Sequence, residues 1–163
     1  MKIKQDIYAY PLVETWKWHS CDGKELVNVD EFIAKHIGHE FYVGTDSHVY
    51  GKHVKFSTAL IAWNRGHGAN MIYYHHKTPA GNSLRQRLLA ETMRSLAIAY
   101  YLDTKLPAED VISVHLDVNP SLKYESGAWK EQLVGMIVAQ GTRFRAACKP
   151  DAWAAMSVAD YAT

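Results

Sequence analysis

Four acidic residues of this chain, Asp46, Glu91, Asp117 and Asp160, have settings that point to chemistry. Asp46 closes the apolar run Phe41-Tyr-Val-Gly-Thr-Asp46, and Asp117 ends a second one, Val111-Ile-Ser-Val-His-Leu-Asp117. Glu91 falls in a helical pattern among Leu84, Leu88 and Leu102, and Asp160 ends the last helical stretch. A carboxylate at the end of a buried strand, or on the apolar face of a helix, is costly to desolvate unless it is paired or binds a cation. Four of them in the order strand, helix, strand, helix could hold two divalent ions, the arrangement that cleaves phosphodiesters.

Each acid also has a plainer reading. Asp46 precedes a turn, where Asp bonds local backbone. Glu91 could pair with Arg87 or Arg94 on its own helix, although helical projection sets it in the Leu84–Leu88 stripe. Asp117 terminates the most apolar strand, where an unpaired carboxylate is hard to tolerate. Asp160 stands near the end of the chain, and its charge opposes the dipole of the helix it ends. Ser47, His48 and Asn119 flank the two strand acids and could touch substrate or water. Lys149, ahead of Pro150, could meet a phosphate oxygen or simply be a solvated strand end.

The elements that must position these groups are legible from Glu40 onward. A strand at about 41–48 precedes the turn Val49-Tyr-Gly-Lys52, and a strand follows at about 53–63, rich in β-branched and aromatic residues such as Val54, Phe56, Thr58 and Ile61. Asn64-Arg-Gly-His-Gly68 breaks it before a third strand at about 69–77. Short Gly-bearing loops between strands imply an antiparallel meander. A long helix begins at Asn82 or Ser83 and runs to about Leu102. The strand at 111–118 is nearly continuously apolar, as one covered on both faces would be. A helix at about 125–140, a strand at about 142–148 and a helix from Asp151 complete an α/β order. Residues 1–40 form a lead-in in which Trp16 and Trp18 alternate with polar residues as in a strand, Cys21-Asp-Gly-Lys24 reads as a turn, and a short helix is capped by Asn28 or Asp30.

Composition narrows the class. The 163 residues suffice for one domain with a real core, and 48% apolar against 21% charged residues is ordinary globular material. Lys plus Arg number 18 and Asp plus Glu 17, so there is no basic excess of the kind dedicated nucleic-acid binders carry. Cys21 and Cys148 fit no ligand spacing, and packing in a reduced, cytoplasmic protein accounts for them. No signal-peptide pattern or membrane-length apolar run is present.

Three stretches together narrow the field further: Phe41-Tyr-Val-Gly-Thr-Asp-Ser47, Val114-His-Leu-Asp-Val-Asn119 and Lys149-Pro-Asp-Ala-Trp-Ala-Ala-Met-Ser-Val-Ala-Asp160. In them the chain resembles the ribonuclease H-like YkuK family, whose members are mostly of unassigned function. The resemblance implies an α/β ribonuclease H-like fold over residues 41–163, with a five-stranded mixed sheet in the order 3-2-1-4-5 and helices on both faces. Residues 1–40 would be an extension packed on it. It also implies that Asp46 bridges two Mg²⁺ or Mn²⁺ ions, that Glu91 and Asp117 complete one shell, and that Asp160 holds the other ion. Hard oxygen donors without Cys or clustered His suit those metals. The activity so implied is metal-dependent hydrolysis of RNA, DNA or a hybrid. A non-catalytic module binding nucleic acid or protein is the rival, favoured by the near-zero net charge, and an enzyme of small phosphoesters is a third reading.

Overall fold

The computed structural model describes residues 13–79, 83–118, 125–149 and 151–154. In chain order the elements are β1 (Trp18–Ser20), β2 (Leu26–Val27), α1 (Val29–Lys35), β3 (Glu40–Tyr50), β4 (His53–Asn64), β5 (Gly68–Pro79), α2 (Leu84–Asp103), β6 (Ile112–His115), α3 (Lys130–Val138) and β7 (Phe144–Ala147). A 3₁₀ turn over Glu125–Trp129 leads into α3. No described helix is long and apolar enough to cross a membrane.

β3, β4 and β5 form the antiparallel meander, paired residue for residue from Glu40↔Trp63 to Tyr50↔His53 and from His53↔Pro79 to Asn64↔Gly68. Gly51 opens the two-residue β3–β4 turn at φ +49, the positive φ that such a turn needs at its first position. β6 then pairs parallel to β3, and β7 parallel to β6. Parallel neighbours cannot be joined by a hairpin, so α2 carries the chain from β5 back to the middle of the sheet and α3 links β6 to β7.

The apolar faces dictate the layers. Val43, Leu60, Ile112 and Val114 of the sheet are fully enclosed with Ile98, Ala99 and Leu102 of α2 and Ile137 of α3 in one core. The opposite face carries a smaller cluster of Ala59, Ile61, Tyr73 and Ala154, with Trp153 packed against it. His115 Nδ1 accepts the backbone N–H of Ala154 at 3.0 Å, which seats that segment on the sheet.

The order β5-β4-β3-β6-β7 is the expected 3-2-1-4-5, but the sheet has seven strands among the described residues, not five. The additional two come from the lead-in: β1 pairs antiparallel with β2 and with β5 at Tyr73 and Ile72. The alternation at Trp16 and Trp18 marks β1, whereas the two residues of β2 carry no periodicity to read. Their hold is aromatic: Trp16 stacks on Tyr74 at 4.3 Å between centroids, and Trp18 is almost fully enclosed. Gly23 in their turn sits at φ +75, and a Cβ there would lie 2.7 Å from the Tyr73 hydroxyl. Only glycine lets the hairpin lie so close. The cysteines also divide: Cys148 packs on the core, whereas Cys21 is exposed, so packing does not account for Cys21.

Two helix starts are settled by their caps. Asn28 accepts from Glu31 N–H, and Ser83 accepts from Gln86 N–H while the Gln86 side chain returns a bond to the Ser83 N–H. That reciprocal pair satisfies two of the donors a helix start leaves over. Ser83→Ala should cost about 1 kcal/mol and lower the melting temperature by about 2–4 °C. An unchanged melting curve would show that α2 is held by its packing alone.

Candidate metal centre at the ends of the central strands

β3 and β6 pair only as far as Gly44↔His115. Two residues beyond that pair along the chain stand Asp46 and Asp117, where the backbones part; β6 ends at His115, so Asp117 lies past its strand and does not end it as expected. β3 continues past Asp46 to Tyr50, so Asp46 does not close its strand as expected but lies within it. The two carboxyls come within hydrogen-bonding reach of each other. Two carboxylates share such a contact only when one keeps a proton or a cation intervenes.

Glu91 enters from α2. Its side chain is almost wholly enclosed, 6% exposed, and its Oε1 accepts the Ser47 hydroxyl at 2.5 Å. Asp46 Oδ1 accepts the N–H of Ser47 at 2.8 Å. Arg94 does not pair with Glu91: it bonds the Ala90 carbonyl and His76 Nδ1 and lies over the Phe56 ring. Arg87, one turn before Glu91, does exert a favourable charge on it.

The electrostatics follow from enclosure and like charge. Asp46 is pushed up to about 7, first by burial and then by its contact with Asp117, while the Ser47 N–H and Lys149 oppose the rise. Burial lifts Glu91 well above the usual carboxylate range, and the charges of Asp46 and Asp117 add to the lift. Lys149 Nζ stands 2.5 Å from Asp117 Oδ1, and its pKa is raised chiefly by that bond. Its backbone N–H donates to the Val118 carbonyl at 3.1 Å, continuing the β6–β7 alignment that delivers it there.

The structure therefore brings Asp46, Glu91, Asp117, Ser47 and Lys149 together. His48 is exposed, one residue past Ser47, with its ring against Tyr50. Asn119 and Asp160 lie outside the described residues. A hydroxyl chain behind the acids was not foreseen: Thr45 Oγ1 meets Thr58 Oγ1 at 3.0 Å and Ser95 Oγ at 2.8 Å. It ties β3 to β4 and α2. Ser95 follows Glu91 by one helical turn, the spacing that could have suggested a shared face.

Hard oxygen donors carrying more negative charge than Lys149 and Arg87 offset suit Mg²⁺ or Mn²⁺. Among the described residues, however, no three acidic, histidine or cysteine groups stand close enough to form a metal cage. Ser47 takes one oxygen of Glu91 and Lys149 one of Asp117, so the donors are chemically apt but not closed on a common point.

Comparison with known proteins agrees with the fold. The profile of the family described as Ribonuclease H-like matches residues 26–163. The uncharacterized protein YkuK of Bacillus subtilis (strain 168) is 31% identical over 136 residues, covering 72% of this chain and 75% of that protein. No solved structure matches.

The raised pKa of Asp46 has a sign that stability measurements will report. The folded state holds this proton up to pH about 7, whereas the unfolded chain releases it near pH 4. Wild-type stability in metal-free buffer should therefore fall as pH rises through that window. Asp46→Asn lacks the penalty. Its advantage over wild type should grow from pH 4 to 7 and level off at about 1–2 kcal/mol, after discounting for partial exposure. Thermal melts of both proteins across pH read this directly, and a difference that is flat with pH would contradict the assignment.

Proposed function

We propose that this chain, which belongs to the ribonuclease H-like family and within it to the YkuK proteins, is a divalent-cation-dependent hydrolase of nucleic-acid phosphodiesters. One observation carries the reading: Asp46 and Asp117 meet where two parallel central strands part, with Glu91 near enough to feel the charge of both.

In this reading Asp46, Glu91 and Asp117 hold the cations, with Asp160 as the fourth ligand. A bound pair of Mg²⁺ or Mn²⁺ ions supplies a Lewis-acid centre that activates water and stabilises the leaving oxygen. The rest is the work of the chain. Ser47 fixes the orientation of Glu91 through Oε1 and leaves Oε2 available. The Thr45–Thr58–Ser95 hydroxyls tie β3 and α2, which carry Asp46 and Glu91, to β4, so the separation of those two acids is set by the scaffold. Lys149 neutralises Asp117, and in this reading its ammonium also meets a phosphate oxygen. His48 and Asn119 are the neighbouring groups for substrate. Ser57 is not a nucleophile in this account: it is 3% exposed and hydrogen-bonded to His75 Nδ1 at 2.9 Å. Free Cys21 and Cys148 suit a reducing, cytoplasmic compartment.

The second reading is a binding module that keeps the acids as remnants, and the Lys149–Asp117 contact favours it, since a lysine already compensates one ligand. Two measurements separate the readings. Under the hydrolase reading, Mn²⁺ stabilises wild type by about 2.7 kcal/mol at a hundredfold excess over Kd and so raises its melting temperature, and leaves that of Asp46→Asn/Asp117→Asn unchanged. Cleavage of labelled RNA, DNA or hybrid in Mg²⁺ or Mn²⁺ then falls by at least about 100-fold in Asp46→Asn and in Asp117→Asn. Wild type that neither cleaves these substrates nor responds to Mn²⁺ would leave the binding module standing.

A further inference from the structure

Acidic residues are spread unevenly along this chain. Between Asp46 and Glu91 there is no Asp or Glu at all, yet the same stretch contains Lys52, Lys55, Arg65, Lys77, Arg85 and Arg87. A net charge of +1 thus conceals a segregation that folding turns into a surface. The stretch forms the end of β3, all of β4 and β5, and the first turns of α2.

Strand alternation decides which side chains share a face. Thr45 faces α2 through Ser95, so Asp46 and His48 face the other way. The register sets Ser57 opposite Asp46, His75 opposite Ser57, Lys55 opposite His48 and Lys77 opposite Lys55. One pleat beyond Asp46 there is accordingly a cross-strand row of His48, Lys55 and Lys77. From strand spacings, the Cα atoms of Lys55 and Lys77 lie about 8 Å and about 12 Å from that of Asp46.

Like charges directly opposite on neighbouring strands are unfavourable. The Lys55 ammonium is held below its ordinary pKa, first by burial and then by the charge of Lys77. Lys77 is exposed and makes no salt bridge among the described residues. His75 is pushed down to about 4 by burial and by Lys55, and so is neutral at pH 7. The positive charge of this face is therefore carried by the lysines.

We infer that the His48–Lys55–Lys77 row is a track for the backbone of a nucleic-acid strand whose scissile phosphate lies at Asp46 and Asp117. The inference rests on the hydrolase reading for the position of the scissile group, and it names the substrate as a polymer. A small phosphoester has no further phosphate to place one pleat away, whereas a strand carries its flanking phosphates past Lys55 and Lys77. Arg87 and Lys149, whose charges reach the acids from α2 and β7, border the same centre. The acids are thereby flanked by cations on several sides, which is how an acidic centre can admit a polyanion.

Binding without catalysis tests this. Fluorescence anisotropy in EDTA, with a labelled single-stranded oligonucleotide of about 16 nucleotides, gives the affinity and its dependence on salt. Lys55→Ala/Lys77→Ala should bind about tenfold more weakly and flatten the slope of log K against log salt by about 1.4, two phosphate contacts' worth. Lys55→Arg/Lys77→Arg should restore both, and Lys77→Glu, changed at an exposed position, should weaken binding on its own with an unaltered melting curve. Wild type that ignores the oligonucleotide, as a protein that docks an acidic partner would, overturns the inference. So does an alanine variant whose affinity and salt slope match wild type. Tight, lysine-dependent binding with no cleavage in Mn²⁺ would instead overturn the hydrolase reading and keep the track. Cleavage of strands unaffected by the lysine variants would do the reverse.

Discussion

Carboxylates crowded together out of water repel, and each prefers to keep its proton or gain a cation. Asp46 and Asp117 meet where two parallel strands separate, and the charge of both is felt by Glu91 on the helix packed on those strands. Their mutual repulsion and enclosure are set by the backbone: Asp46 and Glu91 sit on β3 and α2, and Asp117 follows β6 by two residues. Lys149 and Ser47 relieve part of the cost, at Asp117 and Glu91 respectively. What remains uncompensated is what a divalent cation would neutralise.

The rest of the architecture makes that crowding tolerable. The core beneath the acids is apolar and closed, with Val43, Val114 and Ile98 fully enclosed. Immediately behind the acids three hydroxyls join β3, β4 and α2. Such a scaffold keeps the acids from relaxing apart, and the strain appears as raised proton affinity. Acidic residues are also absent from β4 and β5, so that flank of the centre is cationic despite the near balance of the whole chain.

Much of this was legible in the sequence, for identifiable reasons. Long strands such as β4 announce themselves through Val54, Phe56 and Ile61 at regular spacing. The burial of Glu91 follows from its place beside Leu88 on a helix. The mixed sheet and its central order follow from the family resemblance, and the structure agrees. β1 was partly legible, since Trp16 and Trp18 alternate with polar residues and Cys21-Asp-Gly-Lys24 reads as a turn. β2 and the pairing with β5 were not, because they depend on Trp16, Trp18 and a close-fitting Gly23, contacts that arise only in three dimensions. The same is true of Lys149, which the sequence presents as a strand end and the parallel register delivers to Asp117. Nor does linear order bring Lys55 opposite Lys77; the hairpin does. A balanced total charge concealed this basic face, which became visible once strand faces were assigned.

The central claim is that the three converging acids are a cation site, not a self-contained knot of hydrogen bonds and one ion pair. Anomalous diffraction from crystals soaked in Mn²⁺ tests it most directly. The account predicts anomalous density between Asp46, Glu91 and Asp117, with carboxylate oxygens as its ligands. A solvent-open site with no anomalous density, and with Lys149 still on Asp117, would contradict it.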